Sequence, residues 1–316
     1  MKAARQTTLR DSVSLTGVGV HSGLPVTLTI HPADIDCGVR FLRSGVNGCA
    51  DREVRADVRA VTATEFATVL GDTSGPLCST AEHVLAALCG LGVDNAVVEI
   101  DGPEVPIMDG SAAPFVAAIE RAGIVTLAAP RRYIRVLKPV CVATGECVGE
   151  LRPYARGFRV EIEIAFDNPL VGRQALALDV TPDSFQKEIA RARTFGFVSD
   201  VNKLWSAGYA RGANFDNTVV VSDDRVLNAE GLRYADEFVR HKALDAIGDL
   251  ALAGLPLIGA YRSSRGGHKL NHAVLSALMA DPSAWTMVDA GRPVSEPVYE
   301  DRRPARRRRG QADIAA

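Results

Sequence analysis

The sequence predicts an α+β protein in which one α/β unit occurs twice, as domains spanning residues 1–127 and 128–283. Three observations carry this. A length of 316 residues suits two domains. A hydrophobic content of 47% is enough to build a core in each. Each half also closes with the same succession of strand, helix, strand and helix. Val69-Leu70, a helix around His83, Val97 to Ile100 and a helix over 112–122 correspond to Val219-Val220-Val221, a helix around His241, Leu257 to Tyr261 and a helix over about 270–280. Packed together, two such units would bring the corresponding helices, and so His83 and His241, to one interface.

The elements follow in order. Over residues 9–30, Val13, Leu15, Val18 and Val20 flank Gly17 and Gly19, and Val26, Leu28 and Ile30 alternate with threonines, which reads as strand, turn, strand. The Gly-x-Gly there lacks the following helix of a dinucleotide site and is a bend. His21 follows that bend and His31 ends the next strand; neither is assigned a role. Residues 39–70 read as short strands and loops. Ser79, with Glu82 three residues later, fits a capping box opening a helix over 79–88. A glycine-rich stop, a strand at 96–100, a proline-containing loop and the 112–122 helix complete the first half. Ala128-Ala129-Pro130-Arg131-Arg132 reads as a linker. Strands are then expected at 133–143, 147–152, 158–165 and 174–180, with a short helix at 182–190. An inserted segment, about 197–217, has no counterpart in the first half; Val198, Val201, Leu204 and Trp205 share one helical face there, which either caps the core or walls a pocket. Residues 284–316 form a tail, expected to be largely disordered beyond about 290.

Composition narrows the setting. The N-terminus has no apolar signal region, and the apolar run Leu250 to Tyr261 is too short to span a bilayer, so a cytoplasmic protein is expected. Six cysteines without C-x-x-C spacing fit free thiols. Residues 301–316 hold six Arg and two Asp, a net of +4; with −2 overall, residues 1–300 carry −6. That balance argues against a nucleic-acid binder and allows a peripheral contact of the tail with an anionic membrane surface.

The candidate chemistry centres on Phe238 to Leu250. At about 100° per residue, His241, Asp245 and Asp249 fall within an arc of roughly 80° beside an apolar stripe. His241 and Asp245, four apart, suit a metal-ligand pair, and equally an ordinary His–Asp contact on a solvated face. His83, with Glu82 beside it, and His268 add further candidates. His83, His241 and Asp245 together would leave a fourth position open on a zinc ion, the catalytic arrangement. No H-E-x-x-H is present, which excludes the zincin spacing.

Six segments then coincide with one family: Gln6-Thr7-Thr8-Leu9 with Gly17-Val18-Gly19-Val20-His21-Ser22-Gly23; Ser79-Thr80-Ala81-Glu82-His83; Ala192-Arg193-Thr194-Phe195-Gly196-Phe197; Val226-Leu227-Asn228; His241 to Asp249; and Gly267-His268 with Leu270-Asn271. In order and spacing over about residues 5–280 the chain resembles the UDP-3-O-acyl-N-acetylglucosamine deacetylase (LpxC) family of lipid A biosynthesis. The resemblance implies two repeated units, each a sheet backing two helices, with the helical layers face to face, and an insertion that forms an acyl-chain passage. It implies a Zn²⁺ cofactor, with Fe²⁺ an alternative for the same ligands, held by His83, His241 and Asp245. It further implies Glu82 as general base, His268 as proton donor, Asp249 as its carboxylate partner, Thr194 at the oxyanion, and Lys242 and Phe195 at the substrate. The implied partner is a UDP-linked acylated amino sugar; no nucleic acid is expected, and the chain is expected to act as a monomer. Asn168 departs from the family's usual His, and the arginine-rich tail lies outside the resemblance. A zinc amidase for another N-acetyl sugar and a catalytically silent binding module are the alternatives, the second disfavoured because each catalytic position holds a competent residue.

Overall fold

Alternating side chains give each large sheet one apolar face, and the helices cover it. In the strand Pro25–Pro32, Val26, Leu28 and Ile30 are buried while the threonines between them face outward. In Phe158–Ala165, Val160, Ile162 and Ile164 point inward, and Arg159, Glu161 and Glu163 form ion pairs on the other face. The computed structural model describes residues 4–45 and 50–290. The arginine-rich tail from residue 291, and the disorder expected there, lie outside the described residues.

The first half builds a five-stranded sheet in the order Val13–Val18, Pro25–Pro32, Ala96–Ile100, Val39–Arg43, Arg52–Arg55. The second builds a seven-stranded sheet around Leu257–Ser264, which runs parallel to Arg132–Val136 and Phe158–Ala165 and antiparallel to Cys147–Arg152. Helices are numbered α1 (Glu82–Leu91), α2 (Ala113–Ala122), α3 (Pro182–Ser184), α4 (Val201–Ser206), α5 (Glu237–Ala251) and α6 (His268–Ala280). In the second half α5 packs on Phe158–Ala165 and α6 on Val140–Thr144 and Cys147–Arg152; in the first, α2 packs on α1 and on Val13–Val18. The two helical layers meet with α1 against α5, their largest helix–helix contact. This is the α+β arrangement of repeated units expected from the sequence.

The crossing of α1 and α5 is tight because Gly248 lies in it. A Cβ at Gly248 would sit 2.0 Å from the Glu82 carbonyl oxygen. Its absence lets the first turn of α1 rest on the α5 backbone, and this places Glu82 and His83 opposite the polar stripe of α5.

Three local expectations change. The capping box does not form: Ala81 is the N-cap of α1 without a side-chain bond, and the Glu82 carboxylate turns away to the Thr68 backbone N–H, 3.0 Å off. Ser79 is instead held by strand-like contacts with Glu104 and the Pro103 carbonyl. The expected linker is largely strand: Ile124–Pro130 pairs antiparallel with Arg5–Leu9. Beyond residue 283 a further strand, Trp285–Asp289, pairs with Arg132–Val136 along its whole length. Its partner satisfies its backbone, so a segment with weak periodicity still joins the sheet.

An alanine at an ordinary helix-interior glycine raises stability by about 1 kcal/mol. Gly248→Ala is predicted to do the reverse, lowering stability by about 1–3 kcal/mol through overpacking against Glu82. Thermal unfolding checks the sign; an increased Tm would mean that α1 and α5 are not in contact at this point.

Candidate active site

α1 and α5 bring three potential ligands together. One side-chain donor atom from each of His83, His241 and Asp245 lies within 4.8 Å of the others, and all three residues are buried. Asp245 Oδ1 is 3.3 Å from His241 Nε2 and 3.7 Å from His83 Nε2. The two imidazole rings stand perpendicular with centroids 5.0 Å apart. The other carboxylate oxygen, Oδ2, accepts from Lys242 Nζ at 2.8 Å.

These contacts suit a cation. His241 Nδ1 lies 3.0 Å from the Ala192 carbonyl, which can only accept, so Nδ1 carries the proton and Nε2 presents a lone pair. Burial holds the His241 imidazole neutral, pushing its pKa down to about 4 against the pull of Asp245. A lone pair therefore confronts a carboxylate oxygen in a buried place; burial favours the neutral Asp245 carboxyl, yet its pKa is held well below the usual range, with the Lys242 ammonium as the cation in contact with it. A divalent cation between the three atoms removes that conflict. For bonds of about 2.1 Å, the edge of a tetrahedral site is about 3.4 Å, comparable to the separations found. Two imidazoles and one carboxylate leave a further position for water or substrate.

A second cluster adjoins the first. Asp249, one turn beyond Asp245, accepts from Thr68 Oγ1 at 2.6 Å on Oδ1, and from His268 Nδ1 at 2.9 Å and Asn271 Nδ2 at 2.8 Å on Oδ2. The Tyr261 hydroxyl in turn holds Asn271 at 2.6 Å. Burial alone would lower the His268 pKa, but Asp249 and Glu82 outweigh it and raise it to about 10. His268 Nε2 lies 3.8 Å from Glu82 Oε1. Burial raises the Glu82 carboxyl above the usual range, opposed by the attraction of His268 and His83. An acid and a base thus face each other with both proton affinities raised: His268 is kept cationic at neutral pH and can give a proton, and Glu82 becomes a better acceptor.

His83, His241 and Asp245, with Glu82 and His268 from the second cluster, line a cavity of about 530 Å³. Its other walls are mainly apolar: Val20, Ile107 and Phe66 from the first half, Phe195, Phe197 and Val220 from the second. The inserted segment adds Val201, Leu204 and Trp205 from α4, and Phe215. The insertion walls a pocket, then, rather than capping the core; Val198, expected on the same face, is 45% exposed. Lys242 and Phe195 both line the cavity, with Lys242 Nζ 5.8 Å from the Phe195 ring centroid. Thr194 is also in the wall, its backbone fixed by Gly110 and Val219.

Eight of the nine predicted site residues therefore line one cavity, and the ninth, Asp249, is hydrogen-bonded to His268 in its wall. Sequence reasoning missed Thr68, which supports both Glu82 and Asp249 from just before the strand Val69–Asp72, 181 positions before Asp249. Asn271 carried a readable signal, since it lies three residues after His268 on α6 and shares its face. His21, left unassigned, lines the cavity beside Phe66 and Tyr209, and burial lowers its pKa. Its loop is fastened by the buried Glu104, which accepts from the backbone N–H groups of His21 and Ser22 and from the Thr80 hydroxyl. Asn168, the departure from the family pattern, closes a turn through Leu170 N and the Ser222 carbonyl.

A family model described as UDP-3-O-acyl N-acetylglycosamine deacetylase (LpxC) matches residues 6–280. The chain is 51% identical over 288 residues to a UDP-3-O-acyl-N-acetylglucosamine deacetylase of Brucella ovis, covering 91% of this chain and 99% of that protein. A protein of the same name from Brucella melitensis biotype 2 is 50% identical over the same span and shares.

Calorimetric titration of the metal-free chain with Zn²⁺ is predicted to show one tight site. Asp245→Asn should weaken it strongly, whereas Asp249→Asn should leave it nearly intact. Loss of zinc from Asp249→Asn would make Asp249 a ligand instead of the partner of His268.

Proposed function

The chain belongs to the LpxC family of UDP-3-O-acyl N-acetylglycosamine deacetylases, and on that premise we propose a metal-dependent hydrolysis in which its buried side chains have separate tasks. The protein is a deacetylase of lipid A biosynthesis that removes the N-acetyl group of UDP-3-O-acyl-N-acetylglucosamine. One observation carries the assignment of tasks: a buried His₂Asp ligand set, a carboxylate and a cationic imidazole converge at one end of a largely apolar cavity.

His83, His241 and Asp245 would hold Zn²⁺; Fe²⁺ suits the same nitrogen and oxygen donors. Bound there, the ion supplies Lewis acidity towards the acetamide carbonyl and its water. Glu82, at the positive end of α1 and with its basicity raised by burial, accepts a proton from the attacking water. The Thr194 hydroxyl donates to the oxygen on which charge develops. His268 enters the reaction as imidazolium and gives its Nε2 proton to the departing nitrogen, while Asp249 fixes the ring and stabilises its charge. The products are acetate and a free amine on a sugar that keeps its 3-O-acyl chain. That chain lies along the apolar wall of Phe195, Val201, Leu204 and Trp205, and the Lys242 ammonium faces the polar end, where it meets the anionic part of the substrate.

Among the described residues no helix is long and apolar enough to cross a membrane. A peripheral contact through the basic tail remains part of the proposal and rests on sequence alone.

Glu82→Ala is predicted to lower kcat by on the order of 10²- to 10⁴-fold with the metal retained. A substrate lacking the 3-O-acyl chain should turn over more slowly; equal turnover would assign the apolar wall to something else. The basic limb of the pH–rate profile should report His268, and a bound dication would place it below about 10 because it opposes the imidazolium charge. Asp249→Asn removes the charge that favours imidazolium, so that limb should move to lower pH. An unmoved limb would exclude His268 as the acid.

A further inference from the structure

Arg193 and Glu237 form an ion pair whose side chains are 1% and 0% exposed. Glu237 Oε1 accepts from both the backbone N–H of Arg193, at 3.0 Å, and its Nε–H, at 2.9 Å. Oε2 accepts from Arg193 Nη2 at 3.2 Å and from the backbone N–H of Arg233 at 2.6 Å. The guanidinium is completed by Glu230 and by the Gly231 carbonyl. The carboxylate therefore grips the main chain of residue 193 as well as its side chain.

The neighbours of Arg193 make that grip consequential. The Ala192 carbonyl is the acceptor that sets the His241 tautomer and turns Nε2 towards Asp245. Thr194, on the other side, stands in the cavity wall. Glu237 and His241 are four residues apart on α5 and thus on one face. A closed circuit results: Glu237 holds Arg193, the chain passes to Ala192, its carbonyl holds His241, and one turn of α5 leads back to Glu237. His83 has no comparable support, since its Nδ1 is buried without a hydrogen-bond partner among the described residues. Buried ion pairs are commonly replaceable by apolar pairs of similar volume without loss of stability. This pair differs in that its carboxylate also accepts from two backbone N–H groups, which ties it to the main chain at residues 193 and 233.

We propose that Arg193 and Glu237 are positioning residues, a buried clamp that orients the His241 imidazole for the metal and sets Thr194 against the reacting carbonyl. The inference rests on the metal-centre reading above. Neither residue touches the ion or the substrate; both act through the backbone of residues 192–194.

The test compares wild type, Glu237→Gln and the double variant Arg193→Met/Glu237→Leu, measuring Zn²⁺ affinity by competition with a chelator, Tm without metal, and kcat at saturating Zn²⁺. The double variant should lower Tm, because the Arg193 and Arg233 backbone N–H groups lose their acceptor, and should bind Zn²⁺ about 10- to 100-fold more weakly, the range for loss of support behind a ligand. Its kcat should stay low when Zn²⁺ is saturating, because Thr194 is displaced. Glu237→Gln retains an acceptor for the Arg193 N–H and should fall between the two. A folded double variant with wild-type affinity and kcat would overturn the clamp. If that variant does not fold, Glu237→Gln decides: weakened Zn²⁺ binding supports the clamp and unchanged binding overturns it. Wild type without Zn²⁺ binding would instead overturn the metal reading and this inference with it, a result distinguishable from failure of the clamp alone.

Discussion

Three carboxylates, Glu82, Asp245 and Asp249, are buried where α1 crosses α5, and the surrounding side chains are arranged to compensate them. Removing one partner from a buried ion pair costs about 3–5 kcal/mol, so each charge must be met or neutralised. Asp249 is met by three protein donors and is structurally complete. Asp245 has Lys242 on one oxygen, while the other faces the electron-rich Nε2 of His241. Glu82 has one backbone donor and a distant imidazole, and its affinity for a proton rises instead. The three solutions fit the three tasks proposed for them: orienting an acid, holding a cation, and accepting a proton.

The fold supplies the geometry through close approach. With a side chain at position 248, the first turn of α1 could not reach the α5 backbone, and Glu82 would stand away from His268. The same repeat that pairs α1 with α5 also divides the labour. The first half contributes Glu82, His83 and Thr68, and the second contributes His241, Asp245, His268 and the insertion. Neither half holds a complete site, so the metal and the substrate report on the packing of both.

Much of this was legible in the sequence because it is periodic. The polar stripe of α5, the helix around His83 and the recurrence of strand and helix all repeat at helical or strand spacing, and the site falls where the repeat brings two stripes together. What escaped was non-local or one-off. Thr68 belongs to no motif and acts through contacts far along the chain. Glu82 fitted a capping box, yet its carboxylate was drawn to Thr68 and His268, a tertiary pull that local pattern does not reveal. The strand Trp285–Asp289 and most of the expected linker are ordered by their strand partners more than by their own composition. Arg193 was visible only as one letter of a motif; its burial against Glu237 depends on a chain separation of 44 residues.

In the proposed reaction α1 and α5 jointly hold a catalytic cation against an apolar substrate cavity. Chelation followed by stoichiometric return of Zn²⁺, with acetate release from UDP-3-O-acyl-N-acetylglucosamine as the readout, tests it most directly. The account predicts loss of acetate release in the metal-free chain and recovery as one ion per chain is restored. Undiminished acetate release from a chain shown to be free of metal would contradict it.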